Sequence, residues 1–122
     1  MRNAISWVEI PATDINRAIK FYSEILDSEI VQQNVGDFQM AFLPSDMEGV
    51  GGAITYGPDY TPAQTGVLVY LNGGEDLDVI LARIDAAGGK VLVPKTLITE
   101  EYGYFGLFID SEGNKLGLHS MH

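Results

Sequence analysis

The sequence predicts an α+β fold of two βαβββ modules within 122 residues. Two apolar stripes at helical spacing lie sixty-two positions apart, and each is preceded by one strand-like run and followed by three. One helix covers only one side of a sheet. The other side of each module therefore needs a partner, which the second module or another copy of the chain supplies.

The first strand is Ile5 to Ile10, an alternating run rich in β-branched and aromatic residues. Asp14 then offers an acidic helix start. Ile15, Ala18, Ile19, Tyr22 and Ile25 follow at i, i+3, i+4, i+7 spacing, which gathers apolar groups on one stripe. Glu29–Gln33, Phe38–Leu43 and Gly51–Tyr56 read as three further strands, with Ser45-Asp46-Met47-Glu48-Gly49 as the turn before the last. Two prolines and a glycine in Gly57-Pro58-Asp59-Tyr60-Thr61-Pro62 mark a loop. It divides one domain, residues 1–122, into modules of about 1–57 and 65–120 joined by loop 57–64.

The second module repeats the order. Val67 to Leu71 is its first strand, and Asp76, Leu77, Ile80, Leu81, Ile84 and Ala87 reproduce the helical stripe. Gly88 and Gly89 stop that helix by tolerating positive φ. Lys90–Val93, Tyr104–Ile109 and Lys115–Ser120 complete the module, the last two joined by the turn-forming cluster Asp110-Ser111-Glu112-Gly113-Asn114.

Composition excludes several functions. At 46% hydrophobic, the chain can bury roughly two-thirds of its unfolded surface. No apolar run approaches the ~20 residues of a membrane-spanning helix. The amino terminus has no basic-then-apolar signal pattern, so a cytoplasmic location is the default expectation. With no cysteine, disulfides, thiolate metal sites and a cysteine nucleophile are excluded. A net charge of −10 repels a phosphate backbone, which argues against nucleic acid; its alternatives are solubility or attraction of a cationic ligand. No phosphate loop, Ser-His-Asp series, zinc motif or dinucleotide fingerprint occurs.

The paired pattern, with Asp14-Ile15-Asn16-Arg17-Ala18-Ile19-Lys20-Phe21-Tyr22 in the first module and Gly88-Gly89 and Asp110-Ser111-Glu112-Gly113-Asn114-Lys115 in the second, resembles the vicinal oxygen chelate superfamily over essentially the whole chain. That superfamily includes glyoxalase I, bleomycin-resistance proteins and extradiol dioxygenases. The resemblance implies a half-open eight-stranded barrel with helices outside and a ligand cleft inside, often in a homodimer. It also implies metal ligands on the first and last strands of each module, which here fall at Trp7, Ala53, Val67 or Val69, and Gly117. None of these carries an imidazole or carboxylate, so neither metal nor other cofactor is expected.

Strand alternation extends those positions into a cleft. Glu9 shares a face with Trp7, Thr55 with Ala53, Leu71 with Val67 and Val69, and Lys115 and His119 with Gly117. The expected lining is mainly apolar with a few polar groups, as in a small-molecule pocket. Trp7 offers a broad face to an aromatic or cationic ligand, its alternative being core packing. Glu9, made more basic by an apolar cleft, is the candidate proton acceptor, and His119 the group that polarises an oxygen or returns the proton. Their alternatives are a structural hydrogen bond or ion pair, or two metal ligands. Tyr102 and Phe105, in Thr99-Glu100-Glu101-Tyr102-Gly103-Tyr104-Phe105-Gly106, are candidates for covering the cleft.

Two functional classes follow. One is metal-independent binding of a small hydrophobic, aromatic or cationic molecule. The other is a lyase, isomerase or dioxygenase acting on a small carbonyl or oxygenated compound through Glu9 and His119, or through a metal site of another kind.

Overall fold

A computed structural model of the chain describes residues 3–46 and 48–122. Strand β1 (Trp7–Pro11) leads into helix α1 (Ile15–Leu26), followed by β2 (Gln39–Phe42) and β3 (Gly51–Tyr56). Strand β4 (Tyr70–Asn72), helix α2 (Asp78–Ala87), β5 (Lys90–Thr99), β6 (Gly103–Ile109) and β7 (Lys115–Ser120) form the second half. The α+β class and the duplicated order thus hold, with seven strands among the described residues. The expected strand at Glu29–Gln33 is reduced to a single bridge between Gln32 and Ala41. Ser45–Gly49 includes Met47, outside the described residues, but Asp46 Oδ1 accepts from the amides of Glu48 and Gly49 as a turn requires.

Helix α1 starts as expected at Asp14, whose carboxylate accepts from one of the free amides of the first turn, Arg17 N, at 3.1 Å. It buries Ile15, Ala18, Phe21, Tyr22 and Ile25. Helix α2 starts later than the repeat predicts. Asp76 lies before it, with Oδ1 accepting from Asp78 N and Lys95 Nζ, both at 2.9 Å, while Leu77 occupies the cap position.

Two mixed sheets carry the strands, in the orders β1-β3-β2 and β4-β7-β6-β5. In each, the first strand of the module lies parallel to the last, Trp7 opposite Gly51 and Tyr70 opposite Gly117. One continuous core joins both halves: Ile10, Ala41 and Ile54 from the first sheet and Phe108, Leu116 and Leu118 from the second meet both helices. Phe21 of α1 lies against Phe108 of β6, with ring centroids 6.3 Å apart.

The turn at Asp110–Asn114 fastens the halves. Asp110 is buried, and its Oδ2 accepts from Tyr22 Oη at 2.6 Å and from Asn114 Nδ2 at 2.9 Å. Asn114 Nδ2 also donates to the Pro11 carbonyl at 2.7 Å. Burial, first, and the neighbouring Asp110 carboxylate both push the Tyr22 hydroxyl well above its ordinary pKa, so it stays a donor. Strands β1 and β4, each the edge of its own sheet, are left facing the seam between the halves.

Candidate functional site

Ladder register decides what each strand shows on the side away from the helices. In the first sheet Trp7, Glu9, Ala53 and Thr55 share that side, as alternation predicts. Ala53 and Thr55 are buried, and the Thr55 hydroxyl has no hydrogen-bond partner among the described residues. Trp7 is 44% exposed and meets Phe42 edge-on at 5.9 Å. Its ring also covers Gly51, where an added Cβ would lie 2.9 Å from Trp7 Cζ3.

The second sheet corrects the expected register. Tyr70 and Asn72, not Val67, Val69 and Leu71, lie opposite Gly117 and His119. Leu71 packs against the core, while Val67 is 92% exposed and precedes the strand. The late start of α2 is the physical reason. Seven residues before each helix cap stand Trp7 and Tyr70, so the repeat is displaced by one residue relative to the offset read from Asp76. Tyr70 is also half-exposed and covers a glycine, since a Cβ at Gly117 would lie 2.4 Å from its Cδ1. Nothing in the apolar periodicity pointed to Tyr70; the signal was the glycine opposite it.

Glu9 and His119 are not brought together. Glu9 is exposed and accepts a short hydrogen bond from Tyr60 of the connecting loop. It is therefore not enclosed in the apolar cleft that strand alternation led us to expect. His119 Nε2 lies 2.6 Å from the Tyr102 carbonyl oxygen, so that nitrogen carries the proton and donates. Phe105 is the cross-strand neighbour of His119. Tyr102, 61% exposed, sits in the β5–β6 turn with its amide bonded to Thr99 Oγ1.

Three hollows follow from this arrangement. An apolar one of about 570 Å³ opens at the seam between Val8, Leu43, Gly51, Tyr70, Leu71 and Ile80. Further along the seam, Glu9, Thr61, Val67, Asn114 and Lys115 line a smaller one of about 190 Å³, and Val69 borders both. A third surrounds His119 with Tyr70, Asn72, Ile98 and Tyr102. Among the described residues, no group of three or more His, Cys, Asp or Glu side chains could hold a metal ion. The positions the resemblance implies, Trp7, Ala53 and Gly117, and Tyr70 opposite Gly117, present an indole, a methyl, a hydrogen and a phenol. That donor set does not fit the family's divalent ion.

Comparison with known proteins agrees with the geometry. Residues 4–118 match the model of the Glyoxalase/Bleomycin resistance protein/Dioxygenase superfamily. A "Glyoxylase-like domain-containing protein" of Didymella fabae is 30% identical, over 93% of this chain and 91% of that protein. A glyoxalase/bleomycin resistance protein from Albidiferax ferrireducens superposes with a TM-score of 0.70 at 20% identity, covering 97% of this chain and 98% of that one. A glyoxalase I mutant from Zea mays gives a TM-score of 0.72 at 23% identity over 94% of this chain, which spans only 46% of the maize protein. At such identities the structural matches establish the fold alone. The family match over nearly the whole length does more: the chain belongs to the Glyoxalase/Bleomycin resistance protein/Dioxygenase superfamily.

Proposed function

We propose that the chain is a binding member of this superfamily, which holds a small hydrophobic, aromatic or cationic molecule between its halves without a resident metal. One observation carries the reading. Trp7 and Tyr70 occupy equivalent places in the two modules, each ring laid over a glycine of the neighbouring strand and each half-exposed. Gly51, beneath Trp7, and Tyr70 itself both line the apolar hollow at the seam. Its volume, about 570 Å³, is in the usual range for small-ligand pockets. An aromatic ring or a cation gains from such faces beyond its area of contact. An enzymatic role through Glu9 and His119 has less support, because the two line separate hollows and each is engaged elsewhere. In this reading the protein is cytoplasmic and homodimeric.

Native mass spectrometry of the purified protein reads subunit number, bound metal and any co-purifying molecule together. A small organic molecule without metal is the expected result; a stoichiometric divalent ion would overturn metal independence. Trp7 is the only tryptophan, so its emission reports on its own surroundings. Titration with the released molecule should change that emission, and Trp7→Ala should weaken affinity about tenfold, equivalent to an aromatic contact of about 1.4 kcal/mol. Unchanged affinity in Trp7→Ala would place the bound molecule away from the Trp7 face.

A further inference from the structure

The smaller hollow at the seam is lined by two residues of opposite charge, one from each half. Glu9 comes from β1 and Lys115 from the start of β7. They make no ion pair with each other, and among the described residues Lys115 Nζ enters no ion pair or hydrogen bond. The Tyr60 hydroxyl is the donor on Glu9. Asn114, also in the wall, is committed to structure, its amide nitrogen to Pro11 and Asp110 and its oxygen to the Ala63 amide. Val69 then separates this charged hollow from the apolar one.

We infer that the ligand is a small zwitterion with an apolar body, built like an apolar amino acid: its ammonium on Glu9, its carboxylate on Lys115, and its body past Val69 in the larger hollow. The inference rests on the binding role proposed above and names the ligand class for it. Each half of the chain supplies the counter-charge for one end of such a molecule. A molecule carrying only one of the two charges leaves the other side chain unmatched. An ammonium is a charged donor and makes a stronger bond to a carboxylate than a neutral phenol does, so it displaces the Tyr60 hydroxyl. The small volume, about 190 Å³, suits a head group and not a whole ligand. The apolar side chain is then placed where Val8, Leu71 and Ile80 line the wall.

Isothermal titration calorimetry with L-phenylalanine, phenethylamine and phenylpropionate separates the charges while keeping the ring. L-phenylalanine should bind at least about tenfold more tightly than either singly charged analogue. Glu9→Gln and Lys115→Met should each remove that preference, and Tyr60→Phe, lacking the competing hydroxyl, should strengthen binding. Equal affinity for the three compounds overturns the zwitterion while leaving the apolar site intact. A preference that survives either charge-removing variant overturns the assignment to Glu9 and Lys115. Weaker binding in Tyr60→Phe overturns the displacement. Failure of L-phenylalanine, L-leucine and L-tryptophan all to bind overturns the ligand class. The larger apolar site is tested separately by Tyr70→Ala with the co-purifying molecule.

Discussion

Glu112 shows how much one residue does that its place in the sequence conceals. In the chain it is the middle of a turn; in the fold its side chain has no accessible surface and receives the start of α1. Its Oε1 accepts from the amides of Thr13 and Asp14 at 2.9 and 2.8 Å, and its Oε2 from Arg17 Nε at 2.7 Å. Burial alone would raise its pKa. Hydrogen bonds from Arg17, the Asp14 amide, Ser111 and the Thr13 amide outweigh that and hold it at about 2, against an ordinary 4.5. A carboxylate with a depressed pKa contributes stability that is present above its unfolded value and lost as pH falls through its folded one. Stability measured by denaturant titration should therefore decline from about pH 4.5 toward pH 2. Glu112→Gln should cost about 2 kcal/mol at neutral pH and flatten that part of the curve, since it leaves Arg17 and the two amides just ahead of α1 poorly matched. An undiminished acid slope in the variant would assign the decline to other carboxylates. The candidate site was more legible at this scale: Trp7, Glu9, Ala53 and Thr55 share a face because strand period is two and β1 is read without interruption.

At the scale of elements, α1 and α2 illustrate the reach and the limit of a repeat. Both stripes form helices, and both helices enter one core. The caps differ. Asp14 caps α1 directly, whereas Asp76 is drawn to Lys95 and the Asp78 amide ahead of α2. A one-residue displacement flips every side chain of a strand to the other face, and this one put Tyr70 in place of Val69 beside Gly117. The Tyr70 ring fills the space where Gly117 lacks a side chain. Gly117→Ala should consequently cost about 1–3 kcal/mol by overpacking. The same change in a Tyr70→Ala background should cost much less, as a double-mutant cycle by thermal or chemical unfolding would read. Equal costs in both backgrounds would mean that the backbone, not Tyr70, resists the methyl. The reduced strand at Glu29–Gln33 belongs here too. Its apolar residues divide between a buried Ile30 and an exposed Val31, and one bridge to Ala41 is all the pairing it keeps.

For the whole molecule, the relation between halves outweighs the content of either. Phe21 on Phe108, Tyr22 on Asp110, Asn114 on Pro11 and Glu112 on α1 all cross the module boundary. Neither half keeps a complete core without the other. Residues 1–57 and 65–122 made separately should each lack dispersed amide NMR spectra, and mixing them should restore a folded spectrum. A cooperatively folded single half would show that the shared core is dispensable. The same crossing contacts create the candidate site, because the seam is where edges β1 and β4 face each other without joining their sheets.

The sequence by itself determined the class, the two helices, the turn at Asp110–Asn114 and the apolar face of most strands. Those follow from local periodicity and turn chemistry, which act over a few residues. Only the tertiary structure decided the register of β4, the separation of Glu9 from His119 and the presence of Glu9 and Lys115 in the lining of one hollow. These depend on how two modules settle against a common core. Packing across residues about a hundred positions apart, as between Asn114 and Pro11, is not written in any local pattern.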